Sequence, residues 1–147
     1  MLIPRVILLI AVVWVGSLWT IGYIVAPTLF ATLADRALAG TIAGRLFRIE
    51  AWISVACAGI LLLLMLRDKA RQPHFKACMI LIGAMLLCTL IGHFGVQPFM
   101  AAIRESAGGL ASDEARERFG MLHGVSSAIY LVQSLLGAVL LLKIRSS

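Results

Sequence analysis

Four stretches of this chain are each apolar for about twenty residues, and nothing else in it limits the fold as strongly. They fall at about 6–26, 46–66, 77–97 and 119–142 of the 147 residues. A helix rising 1.5 Å per residue needs about 20 residues to cross the ~30 Å hydrocarbon layer, so each run is one crossing long. The expectation is all-α: an integral membrane four-helix bundle forming one membrane domain over residues 1–147. Composition agrees, because 61% apolar residues and a mean hydropathy of +1.00 are more than a water-facing surface can hide. The first run resembles a signal peptide, but it continues to Val25 without a small-x-small cleavage site. A secretory apolar region is only about 7–15 residues, so this is read as a retained helix.

Charge and cysteine exclude two classes. The net charge of +6 sits in short loops, not on a basic face interleaved with aromatics, which argues against a nucleic-acid partner. Beside a bilayer such charge reads as topology and headgroup contact. Cys57, Cys78 and Cys88 lie inside apolar runs, are odd in number and form no CxxC pair, so they read as small hydrophobes.

Between the runs, punctuation is clear. Pro27 lacks a backbone donor and marks a break or sharp kink. Residues 28–47 are of intermediate polarity, with Asp35, Arg36, Arg45, Gly40 and Gly44. They read as a short interfacial or re-entrant helix between the first two spans. The loop 67–76 is basic and holds Pro73, and Pro98 ends the third span. Ser112 followed by Asp113 and Glu114 is a helix-start signal for the fourth. Four crossings put both termini on one side, with Arg5, Arg67, Lys69, Arg71, Lys76, Lys143 and Arg145. Arg36, Arg45, Arg48, Arg104, Arg116 and Arg118 lie opposite. All three lysines fall on the terminal side, so both termini are expected in the cytoplasm.

Polar side chains in hydrocarbon face protein, so their spacing marks the inner face of each helix. His123, Ser127, Tyr130 and Ser134 form one stripe; Thr89, His93 and Gln97 another; Glu50, Ser54 and Cys57 a third; Ser17 and Thr20 a fourth. Glu50 and His93 lie roughly 24 Å, and His123 roughly 28 Å, from the terminal side. The candidate is a polar pocket near the non-cytoplasmic face, built from His123, His93, Glu50, Gln97, Tyr130, Ser127 and Thr89. Its ligand would be a cation, a metal or a small polar molecule.

Each residue also has a plainer reading. His93 would bond a neighbouring helix or interfacial water, and His123 a loop carbonyl. Glu50 would pair with Arg45, Arg48 or Arg104, since an unpaired carboxylate is expensive in lipid. Gly120 with Gly124, and Ser54 with Ala58, would let helices pack closely. Tyr23, Phe30, Phe47, Trp52, Phe94, Phe99 and Phe119 would form an interfacial belt, and the methionines would be filler.

His93 and His123 with Glu50 are suitable ligands for a divalent metal such as zinc, copper or iron, although no HxxxH or ExxH pair lies on one helix. A b-type haem with His93 and His123 as axial ligands is the redox variant, awkward so near the boundary. No nucleophile elbow, phosphate loop or HExxH is present, so nothing specifies an enzyme. In the competing class the stripes only join helices, and the chain is an assembly or scaffold subunit, as a homo-oligomer or with a membrane partner protein.

Gly22 to Phe30 (GYIVAPTLF), Ala39-Gly40, Gly44 to Phe47, Pro98 with Met100 and Arg104, and Phe119 to Ser126 (FGMLHGVS) together resemble the transmembrane protein 205-like family. That resemblance implies a four-helix membrane protein of unknown biochemical function, in the bacterial inner membrane. It singles out Pro27, Phe30, Gly44, Phe47 and His123 as motif positions, and supplies no substrate.

Overall fold

A computed structural model describes residues 2–67, 74–106 and 108–145. The expected contributions of Lys69, Arg71 and Pro73 lie outside the described residues. Four helices account for almost everything else: α1 (Leu2–Thr32), α2 (Arg36–Arg67), α3 (Phe75–Glu105) and α4 (Asp113–Arg145). Each is long and apolar enough to cross a membrane. They alternate in direction, α1 and α3 each packing on both α2 and α4. The result is an all-α four-helix membrane bundle with a square cross-section.

The helix ends follow local chemistry. Asp35 Oδ1 accepts the N–H groups of Ala37 (2.8 Å) and Leu38 (3.1 Å), capping α2. Ser112 Oγ accepts the Ala115 N–H at 3.1 Å and caps α4. Residues 28–47 are helical but divided at 33–35: Ala26–Thr32 completes α1, and Arg36 onward belongs to α2.

Neither Pro27 nor Pro98 breaks its helix. Ahead of each the backbone widens into a π-helical segment, Thr20–Val25 in α1 and Leu90–Val96 in α3. The Ala26 N–H bonds the carbonyl of Ile21, and the Gln97 N–H that of Gly92, each five residues back. Proline lacks an N–H and its ring collides with the carbonyl four residues earlier. An extra residue in the turn removes that collision and lets the helix run on.

Packing divides the bundle into two unlike halves. Near the termini the interior is filled, with Ile7, Ala11, Trp14 and Leu18 of α1 meeting Leu61 and Met65 of α2, Ile82 and Met85 of α3, and Leu140 of α4. There α4 comes so close that a Cβ on Gly137 would lie 2.9 Å from Val15 and 3.3 Å from Met85. Between helices in lipid the attraction is mainly van der Waals, so small residues at crossings set how tightly they close. The other half is open.

Candidate functional site

In the outer half, away from the termini, the four helices surround a cavity of about 670 Å³. All seven residues expected in a polar pocket lie on its wall: Glu50 from α2; Thr89, His93 and Gln97 from α3; His123, Ser127 and Tyr130 from α4. Pro27, Phe30, Gly44 and Phe47 are there too. Thr20 and Cys57 are not on the wall, and Ser134 sits just below it, accepting the Tyr23 hydroxyl at 2.9 Å.

Glu50 lies at the base and is 2% exposed. Its Oε1 lies 3.3 Å from the Ser17 hydroxyl, which is shared with the nearer Trp14 carbonyl at 2.8 Å, and accepts the Ser54 hydroxyl at 3.4 Å; Ser54 in turn accepts the Trp14 indole N–H at 2.8 Å. Its Oε2 is buried and has no partner among the described residues. The expected ion pair with Arg45, Arg48 or Arg104 is absent among the described residues. The physical reason is position. Arg45 and Arg48 are exposed, whereas Glu50 is buried, and Arg104 is held further out by the Gly40 carbonyl at 3.2 Å.

On the opposite wall Thr89 accepts the Gln133 amide at 2.9 Å and donates to the Met85 carbonyl at 3.2 Å, closing a buried α3–α4 bridge. Tyr130 donates to the Leu18 carbonyl at 2.7 Å, and its ring lies where a Cβ on Gly22 would stand. Glycine at position 22 is therefore what admits the ring. The Tyr130 ring meets Tyr23 and Phe47 edge-on, with centroids 6.1 and 5.3 Å away.

The two histidines differ. His93 is half-buried in the π segment of α3, its Nδ1 enclosed and without a partner among the described residues, its ring edge-on to Phe94 at 4.9 Å. His123 is exposed and stacks on Phe119 at 6.3 Å with 6° between planes. Among the described residues no three His, Cys, Asp or Glu side chains gather as a metal site requires.

Of the expected aromatic belt, Tyr23, Phe30, Phe47 and Phe119 line the cavity; Tyr23 and Phe30 are exposed as well, like Trp52, Phe94 and Phe99, whereas Phe47 and Phe119 are half-buried. Arg104, expected in the loop beyond a helix end at Pro98, is on α3 and 5.8 Å from the Phe119 ring centre. Among the described residues nothing outside their own helix backbone would lie within 4 Å of a Cβ on Gly120 or Gly124, so both face open space. One available signal was Trp14, because an indole N–H deep in an apolar run must find an acceptor.

A cavity of this size, apolar with a few polar groups, suits an organic ligand. Residues 9–108, two thirds of the chain, match the family described as a domain of unknown function (DUF4149). No curated protein and no solved structure matches.

Proposed function

Given that the chain belongs to the family described as a domain of unknown function (DUF4149), we propose that it is a membrane-embedded binding protein. Its ligand occupies the outer cavity and presents a cationic or hydrogen-bond-donating group to Glu50. The observation behind this reading is Glu50 Oε2, buried on the cavity wall without a partner among the described residues. Leaving a buried acceptor unpaired costs about 1–3 kcal/mol, and more for a charged group. A partner delivered by a ligand removes that cost.

A metal would need ligands beyond those the described residues bring together, so an organic molecule is preferred. The resemblance to transmembrane protein 205-like proteins supports one membrane domain in a bacterial inner membrane. The lysine distribution supports cytoplasmic termini. The assembly reading keeps one observation, the open Gly120–Gly124 face, which suits a helix from another chain. Native mass spectrometry separates the two readings, since a scaffold shows a stoichiometric protein partner and no small ligand.

The direct test is titration of detergent-purified protein with organic ammonium compounds. Saturable binding is expected, weakened roughly tenfold or more in Glu50→Gln. Unchanged affinity in that variant refutes the role given to Glu50.

A further inference from the structure

The walls of the cavity are unequally covered. On α2 and α3 its lining is buried or half-buried, as at Ala43, Glu50, Thr89 and Met100. On α1 and α4 part of the lining is exposed: Tyr23 is 48% accessible, Phe30 42% and Leu131 51%, and Pro27, His123 and Ser127 are exposed as well, while Leu18, Ala26 and Gln133 are buried. A residue that both lines a cavity and lies open to the exterior marks where the two communicate. Here all such residues belong to two adjacent helices.

The backbone gives the reason. In the outer half, Thr20–Val25 and Ala26–Thr32 of α1 lean on α2; Leu90–Val96 of α3 touches both α2 and α4, and Gln97–Glu105 leans on α4. At the cavity, α1 is tied to α4 through Tyr130 with Leu18 and Tyr23 with Ser134. Outward from Tyr130 the two helices part.

Depth decides what the gap faces. Leu131 and Ser127 lie 11 and 15 residues from Leu142, or roughly 17 and 22 Å along α4, within the ~30 Å hydrocarbon layer. The gap therefore opens on acyl chains. The outer end is guarded differently, because Arg104 lies there, beside Gly40 and roughly 15 Å along α2 from Glu50. Among the described residues no carboxylate pairs with Arg104. A cation descending from water must pass this guanidinium, whereas one moving within the leaflet does not. Beside Glu50 the rings of Tyr23, Phe47 and Tyr130 line the cavity, and an aromatic face attracts a large, weakly hydrated cation.

We infer that the cavity is filled sideways, between α1 and α4, from the leaflet opposite the chain termini, and that its ligand is a lipophilic organic cation. The charged centre sits at Glu50, and the apolar body lies against the aromatic cluster. This rests on the binding role of Glu50 proposed above, and the experiment separates the two.

Protein in lipid nanodiscs is titrated with radiolabelled tetraphenylphosphonium, which partitions into bilayers, and with tetramethylammonium, which stays in water. Saturable tetraphenylphosphonium binding is expected, weakened roughly tenfold or more in Glu50→Gln. Tetramethylammonium should compete at least about a hundredfold more weakly. Ser127→Trp and Leu131→Trp place bulk at the exposed edge of the gap and should slow association roughly tenfold. Val132→Trp, exposed on the same helix but off the cavity wall, should leave it unchanged. Glu50-dependent binding at rates untouched by both edge tryptophans, with tetramethylammonium competing equally, overturns the lateral route and the lipophilic class while leaving the binding role standing. Absence of Glu50-dependent binding for both cations overturns both.

Discussion

Glu50 and Gly22 show how much a single position decides. Glu50 is a carboxyl kept in a bilayer-depth interior with one oxygen unanswered among the described residues, which lowers the stability of the empty protein. Replacing it by glutamine removes any buried charge while keeping the contacts with Ser17 and Ser54. Thermal unfolding in detergent should show Glu50→Gln as stable as the parent, or more so by about 1 kcal/mol, even as ligand binding is lost. A large drop in stability would make Glu50 a structural residue. Gly22 is the opposite case. Any Cβ there meets the Tyr130 ring, so Gly22→Ala should cost about 1–3 kcal/mol. In the Tyr130→Leu background most of that cost should vanish, and a double-mutant cycle reads the coupling. Additive losses would show that the ring does not fill the space at position 22.

At the level of elements, the two π segments are the feature that makes the outer half differ from the inner. Each puts an extra residue into a helix just ahead of a proline, and each carries wall residues, Gly22 and Tyr23 in α1, Gly92 and His93 in α3. Restoring a donor by Pro27→Ala allows α1 to resume ordinary four-residue bonding. One residue of register turns the outer part of the helix by about 100° relative to the rest. Tyr23 then leaves Ser134, and ligand affinity should fall roughly tenfold while the melting temperature holds or rises. Retained affinity would mean that Pro27 does not hold the wall in place. A smaller effect belongs to the Thr89–Gln133 bridge. Interhelical hydrogen bonds in lipid average about 0.6 kcal/mol, so Gln133→Leu should lower stability by about that amount, measured by unfolding in detergent.

For the molecule as a whole, four antiparallel helices bring both ends of the chain to the filled half and leave the cavity at the other. Reporter fusions at the two termini should give the same sidedness, and the expected side is cytoplasmic. Opposite sidedness would contradict an even number of crossings. The division of labour is mechanical. The inner half, locked by Trp14 and the close approach at Gly137, holds the four helices together. The outer half is therefore free to splay. Trp14→Ala should cost about 3–5 kcal/mol and loosen both halves at once.

What could be read from the chain alone was whatever a one-dimensional pattern carries. Apolar length specifies four helices because each must span a layer of set thickness, and helix rise turns residue number into depth, which is why Glu50, His93 and His123 were placed at nearly one level. The same pattern misplaced Pro27 and Pro98 as ends, since a proline reads as a break until neighbouring packing stabilises a widened turn. Depth alone also puts Phe47 and Phe119 in an outward belt, because it says nothing about direction, whereas both are half-buried on the cavity wall. Which side of a helix faces inward, which carboxyl oxygen lacks a partner and where two helices part depend on rotation about each axis and on contacts between residues far apart in the chain. Only the packing of all four helices decides those.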